Sequence, residues 1–434
     1  MTATICPTPA LRALRDAVRA RVPGAEAEFW LRAERTGTPL VEPDPEGDPA
    51  RRLVTFVLRD EPDRPATDVL LLVHTVTDRD RHAGDLTRHL MHRVEGTGVW
   101  ALSHRLRADH RASYQFLPGH GTREELLRTD RASWRAALDR AVPDPLSRTP
   151  PLPARGGRHS SSVLSLPAAL PQPYVTDDGD GAARGTASVR EVDGRRVTVH
   201  LPPGHGPSTA PHAVAVLLDG EMWGPVLDMG GVLDRMRADA ALPPTVALLV
   251  DTMDRRMEDL SCNDAFVDWL ADTLLPWARA EFGTTSRPER TLVAGQSAGG
   301  LTAAFAAFRR PDRFGLAVSQ SGSFWWPEND PERGEEWLTR QYATGHRRPV
   351  RLWLEVGLQE WMLLAENRRL RNVLRARGYD VSYREFNGGH DYACWRGGLA
   401  DGLSALLGDA GAGTARDADG GTARGRGAGE NTGR

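Results

Sequence analysis

The segment Thr291-Leu292-Val293-Ala294-Gly295-Gln296-Ser297-Ala298-Gly299-Gly300-Leu301 sets a G-x-S-x-G pattern between a short apolar run and a run of small, helix-compatible residues. A nucleophile on so sharp a strand-to-helix turn needs glycines two residues to either side. A β-carbon there strikes the neighbouring strand or helix, and the helix N-terminus favours developing negative charge. Ser297 is therefore the candidate nucleophile, set against the blander reading of a glycine-rich turn whose serine only caps a helix. In hydrolases of this kind an acid and then a histidine follow, at the carboxyl ends of later strands. After the run Arg351 to Val356 comes Gly357-Leu358-Gln359-Glu360, and after Val381 to Phe386 comes Asn387-Gly388-Gly389-His390-Asp391. His390 is the expected base. Glu360, just past its strand, is the expected orienting acid, with Glu355 inside the strand and Asp391 beside the histidine as the other two carboxylates that could serve.

An oxyanion hole should combine the backbone N–H of Ala298 with one from the turn Leu217-Leu218-Asp219-Gly220-Glu221-Met222-Trp223, at Gly220 or Glu221. The next βα loop carries Arg255 and Arg256, where ligands bind in this architecture. Trp223, Trp325, Trp326, Trp361 and Trp395 all fall in or near loops expected on that side, an excess for a chain that is only 6% aromatic. Aromatic walls with arginines suit a planar, anionic ligand.

These residues need a scaffold that brings strand ends together. Short continuous apolar runs at Ala213 to Leu218, Val246 to Val250, Thr291 to Ala294, Leu316 to Ser319 and Leu352 to Val356 alternate with helical periodicity, notably Asn263 to Phe282 and Met362 to Arg377. The expected fold is α/β, a mainly parallel sheet covered by helices over residues 174–408, entered through a hairpin turning at Asp193-Gly194. Residues 1–148 begin with an amphipathic helix. Strand-like runs follow at Leu53 to Leu58, Val69 to Val73, Gly98 to Leu102 and Ser113 to Pro118, and they predict a β-sandwich. Between the two, residues 149–173 are rich in Pro, Ser and Gly and read as an extended connector. Residues 409–434 hold no aromatic residue and no Leu, Ile, Val or Met, and read as a disordered tail.

Composition excludes much else. The 434 residues, 40% hydrophobic with a formal charge of −3, suffice for two buried cores. All 55 basic residues counted as Lys+Arg are Arg. Without Lys there is no P-loop lysine, kinase lysine or Schiff-base lysine. With 58 acidic residues against them, the arginines form no overall basic field for nucleic acid. Cys6, Cys262 and Cys394 are far apart and lack metal-site or disulfide spacing, which favours a reducing compartment. No apolar stretch reaches membrane-spanning length and the charged start lacks a secretory pattern, so a cytoplasmic protein, monomeric or weakly dimeric, is expected.

Taken together, Val293 to Leu301, Ser319-Gln320-Ser321-Gly322-Ser323-Phe324-Trp325-Trp326-Pro327 and Gly388 to Leu399 resemble the enterochelin esterase family, cytoplasmic enzymes that open catecholate trilactone siderophores. Asp144-Pro145-Leu146 and Arg111-Ala112-Ser113-Tyr114-Gln115-Phe116 are similar to that family too, and the likeness spans roughly residues 25 to 407. The resemblance implies an immunoglobulin-like N-terminal sandwich that helps enclose the siderophore and an α/β-hydrolase domain with Ser297, His390 and Glu360 as triad. It implies a ferric catecholate siderophore as substrate, with iron entering only as part of that ligand and no metal or cofactor held by the protein. A ferric tris-catecholate is trianionic, which makes Arg255, Arg256 and Arg396 expected contacts. The rivals are an acyltransferase or general carboxylesterase of the same fold, and a siderophore-binding protein with a vestigial triad.

Overall fold

The computed structural model describes residues 8–119, 131–156, 158–175, 181, 183–206, 211–328, 330 and 332–408. The tail 409–434 and Cys6 lie outside them. Helices Pro9–Arg19 and Ala25–Thr36 come first. Thr8 caps the first by accepting from Leu11 N, and a proline occupies its first turn. Their apolar stripe, Leu14, Phe29, Trp30 and Ala33, packs on Val57, Val99 and Ala101 of the sheet behind. The strands that follow are β1 (Leu40–Pro43), β2 (Arg51–Arg59), β3 (Asp68–Val73), β4 (His92–Arg93), β5 (Val99–Arg107), β6 (Arg111–Gly119) and β7 (Ser162–Ser165). They form two antiparallel sheets, ordered β1-β2-β5-β4 and β3-β6-β7. Phe56, Trp100 and Leu102 of one sheet meet Leu71, Tyr114, Phe116 and Leu164 of the other in one core, a sandwich. The stretch 149–173, expected as a bare connector, supplies β7. Val163 and Leu164 are buried opposite Ser113 and Ala112, so a partner far earlier in the chain turns a proline-rich run into a strand.

The second half is an eight-stranded sheet. Its strands are β8 (Thr186–Val192), β9 (Arg195–Leu201), β10 (Ala213–Leu218), β11 (Thr245–Val250), β12 (Thr291–Gln296), β13 (Leu316–Gln320), β14 (Arg351–Gly357) and β15 (Asp380–Phe386). The order is β15-β14-β13-β12-β10-β11-β9-β8, with β9 antiparallel to both neighbours and the rest parallel. Asp193 (φ 50°) and Gly194 (φ 72°) make the expected β8–β9 turn, both in the left-handed region that such hairpins require. Every residue of β10, β11 and β12 is buried, as strands covered on both faces must be. Alternation then sorts the side chains: Val214, Val216 and Leu218 join one core, and Ala213, Ala215 and Leu217 join the other. The helix Ala298–Arg309 covers the first face, and Met229–Ala238 and Tyr392–Leu407 cover the second. Within the long helical segment Pro276 offers no N–H to the carbonyl of residue 272, and the chain passes there through a wider turn, Leu270–Leu274. Strand order reverses between β10 and β12, and the crevice beyond their carboxyl ends is where such sheets build sites. Among the described residues no helix is long and apolar enough to cross a membrane.

One buried carboxylate ties the N-terminal pieces together. Asp144 accepts from Thr38 Oγ1 (2.7 Å), Tyr114 Oη (2.8 Å) and Leu146 N (3.0 Å), and its own N–H donates to Ser162 Oγ of β7 (2.8 Å). Burial nonetheless raises its pKa above the usual carboxylate range. Tyr114→Phe, which removes one donor and leaves the packing intact, should lower unfolding free energy by about 1–3 kcal/mol. Urea titration followed by tryptophan fluorescence checks this, and an unchanged midpoint would refute the linking role.

Candidate active site

Ser297 joins β12 to the helix Ala298–Arg309 with φ 59° and ψ −121°, a conformation costly for a residue with a side chain. The reversal is tight enough that a β-carbon on Gly295 would lie 2.4 Å from the carbonyl carbon and oxygen of Gly299. Ser297 N donates to Gln320 O of β13 (3.0 Å), and its carbonyl accepts from Ser323 N (3.0 Å) and Leu301 N (3.0 Å). Among the described residues its hydroxyl meets Ser323 Oγ at 3.4 Å.

The other two expected residues are joined directly. His390 Nδ1 lies 2.7 Å from Glu360 Oε2. A carboxylate there can only accept, so Nδ1 is the donor, and the neutral ring in that tautomer presents Nε2 as its acceptor. The second oxygen, Glu360 Oε1, accepts from Ser321 Oγ (2.6 Å) and Gly357 N (2.7 Å). Trp395 Nε1 donates to Ser321 Oγ (2.9 Å), and the Trp395 ring stands edge-on to His390, centroids 4.6 Å apart. Glu360 is thus buried with both oxygens occupied, while His390 stays partly open. The remaining two carboxylates are engaged elsewhere. Glu355 bonds Gln320 Nε2 (2.5 Å) and Arg384 Nη2 (2.6 Å), and burial raises its pKa. Asp391 caps the last helix through Ala393 N (2.8 Å) and takes Ser113 N of β6 (2.5 Å).

At the end of β10, Asp219 turns in the left-handed region (φ 58°) and Gly220 opens a short helix, Gly220–Trp223. A β-carbon on Gly220 would lie 2.4 Å from the Leu249 carbonyl carbon of β11, so only glycine fits. Ala298, Gly220 and Glu221 all sit in first helical turns beyond adjacent strands, where N–H groups lack intrahelical acceptors. The loop after β11 braces this turn. Arg256 grips the Asp219 carboxylate through two bonds (2.7 and 2.8 Å), and Glu221 accepts from Thr252 N (3.1 Å) and Met253 N (3.3 Å).

Several of the expected ligand contacts have partners within the protein. Arg256 is committed to Asp219. Trp223 is buried, its indole N–H on Gln296 Oε1 (2.9 Å), because the sheet and Tyr392 cover a loop position that looks exposed in sequence. Arg396 bonds Gln172 Oε1 (3.3 Å) at the seam with the segment before β8, where burial and Arg111 lower its pKa. Arg255 is half exposed and pairs with Glu258 (2.9 Å). Trp325 and Trp326 are partly exposed, the latter packed against Trp337 and Arg333. Sequence reading assigned no role to Gln296 or Gln320, although both lie in quoted motifs. Gln296 Nε2 donates to Gln320 Oε1 (2.7 Å), and Gln320 Nε2 donates onward to Glu355 and to Trp395 O (2.9 Å). The signal was a polar residue inside a buried strand run, which needs a partner. A cavity of about 850 Å³ lies between the two N-terminal helices and β1, away from these residues.

The chain matches two family models, "Putative esterase" over residues 192–406 and "Enterochelin esterase, N-terminal" over residues 53–175. It is 37% identical over 348 residues to the iron(III) enterobactin esterase of Escherichia coli O6:H1, spanning 75% of this chain and 84% of that one. It is 31% identical over 415 residues to the iron(III) salmochelin esterase of the same organism, spanning 92% and 98%. The enterobactin esterase of Shigella flexneri, solved in the presence of enterobactin, superposes with a TM-score of 0.70 at 32% identity, over 87% of this chain and 97% of that one. The chain is a carboxylic ester hydrolase and belongs to the iron(III) enterobactin esterase family.

Proposed function

We propose that this protein hydrolyses the trilactone ester bonds of ferric catecholate siderophores such as ferric enterobactin, with Ser297 as nucleophile, His390 as base and Glu360 as orienting acid. The observation that carries the reading is the 2.7 Å bond from His390 to a buried, doubly occupied Glu360, delivered to the same sheet edge as the strained Ser297 turn. For the proton to move, Ser297 Oγ exchanges its long contact with Ser323 for His390 Nε2. The oxygen then attacks a lactone carbonyl carbon, the carbonyl π pair moves to oxygen, and His390 holds the proton as an imidazolium stabilised by Glu360. The oxyanion rests on the N–H groups of Ala298 and of Gly220 or Glu221. Collapse breaks the ester C–O bond, and His390 gives its proton to the departing alkoxide oxygen, which leaves as a serine hydroxyl of the substrate. Water repeats the sequence on the acyl-serine and frees a carboxylate.

Each step balances with these groups, so iron arrives as cargo of the substrate and no protein-held cofactor takes part. Arg255, Trp325 and Trp326 are the proposed contacts for the anionic, aromatic ligand, since they keep exposed surface beside the site loops. The unpaired, buried thiols Cys262 and Cys394 suit a reducing cytoplasm, where ester opening would serve iron release.

Ser297→Ala should lower kcat on ferric enterobactin by on the order of 10⁶ while ferric-siderophore binding, read by fluorescence quenching, stays. A fluorophosphonate should label Ser297 in the parent protein. Turnover within tenfold of the parent in Ser297→Ala would sink the nucleophile, and the absence of an adduct would favour a binding protein. The carboxylates separate in the same assay. Glu360→Gln should cost on the order of 10⁴ in kcat with KM little changed. Glu355→Gln takes one of two carboxylate partners from Arg384, which keeps Asp401 (2.6 Å), so it should cost about 1.5–3 kcal/mol of stability and leave kcat near the parent value. A large kcat defect in Glu355→Gln alone would reassign the acid.

A further inference from the structure

We infer that Thr75 and His74 of the N-terminal sandwich are positioning residues for His390, so that the catalytic constellation is completed across the seam between the domains. The inference rests on His390 being the base. The loop that carries His390 contains Gly388-Gly389, the sequence least able to hold one conformation unaided. Ordering each such residue costs about 1–2 kcal/mol, which outside contacts must offset.

Those contacts come mostly from the other domain. His390 N donates to Thr75 Oγ1 (2.7 Å), and His390 O meets His74 Nε2 at 2.7 Å, so the main chain is gripped on both sides of the imidazole. Arg111 N donates to Asn387 O (3.0 Å), and Ser113 N reaches the Asp391 carboxylate. From its own domain the loop gains Gln359 N on Gly388 O (3.0 Å), Gln359 Nε2 on Asn387 Oδ1 (3.1 Å) and the Glu360 carboxylate on the imidazole (2.7 Å). A β-carbon on Gly389 would lie 2.2 Å from Thr75 Oγ1, so the approach is closer than any side chain on that residue permits.

The gripping residues are themselves fixed. Thr75 adopts φ 70° and ψ −42°, outside the regions open to a β-branched residue without cost, and is held there by its N–H on Asp78 Oδ2 (2.8 Å) at the start of the helix Val76–His82. His74 N donates to Ser113 O (3.0 Å), which returns the chain to the strand whose N–H holds Asp391. Backbone strain kept at a contact with the catalytic loop, and secured by two further bonds, is the arrangement expected of a positioning device. The N-terminal domain thus does more than enclose the substrate, the role expected from sequence.

The test uses the full chain and two substrates, ferric enterobactin and p-nitrophenyl acetate, the second too small to need the sandwich for capture. Thr75→Val removes the hydroxyl and keeps the shape. It should lower kcat on both substrates by about 10- to 100-fold, the scale of a displacement near 1 Å in a catalytic group. KM for the small ester should stay within about twofold of the parent, since only positioning is lost. Thr75→Ser should restore kcat, and the fluorophosphonate should label Ser297 correspondingly slowly in Thr75→Val. Should Thr75→Val not fold, His74→Phe, which removes the second grip from a partly exposed position, carries the same expectation. Unchanged kcat on the small ester with a raised KM for ferric enterobactin would overturn the proposal and return the domain to substrate capture. His390→Ala is the control: parent-like turnover there would remove the base itself, and this inference with it.

Discussion

The Glu360 carboxylate is where three strand ends meet. It lies past β14, takes Gly357 N from the end of that strand, takes Ser321 Oγ from the turn after β13, and holds His390 from the loop after β15. A buried carboxylate is tolerable only when its lone pairs are filled, so the chain must bring donors to it from each neighbour. Trp395, from the last helix, closes the set by donating to Ser321 while its ring supports the imidazole. The geometry of the site is in this sense the solution to one desolvation problem, and the histidine is one of the donors that solves it.

Beneath that group runs a polar row of fixed direction. Trp223 donates to Gln296, Gln296 to Gln320, and Gln320 to Glu355, so successive N–H groups point toward one buried charge, and Arg384 completes its other side. Donors aligned in series polarise one another, which strengthens each bond. The row crosses β12, β13 and β14 next to Ser297, Ser321 and the strand end that leads to Glu360. Slippage of any one strand would break it, so strand register and the spacing of Ser297, Ser321 and Glu360 are held by the same bonds.

Much of this was legible because it depends on local pattern. Continuous apolar runs marked the parallel strands, the Asp-Gly dipeptide marked the hairpin, and G-x-S-x-G marked the strained turn. Glu360 was singled out over Glu355 by position, since it lies just past its strand and Glu355 lies inside it. What escaped depends on partners distant in sequence. Arg256 looks like a free cation until Asp219, 37 residues earlier, is found beneath it. Trp223 looks like an aromatic wall until Tyr392 is laid over it, and the four residues of β7 look like linker until β6 lies alongside. Thr75 and His74 carry no signature at all, because a threonine hydroxyl and a ring nitrogen become specific only through the backbone they touch.

The grip of Thr75 on His390 also bears on how the protein is made, because 315 residues separate the two in the chain. At roughly 5–20 residues per second, a ribosome needs about 15–60 s to travel from one to the other. The sandwich has that interval to fold and finish its half of the clamp before the histidine loop exists. Ser297 is synthesised into a sheet still lacking β13, β14 and β15, with neither Glu360 nor His390 yet made. The glycine loop is made after the surface it touches, so the seam between the domains can close only once residues from both ends of the chain are present.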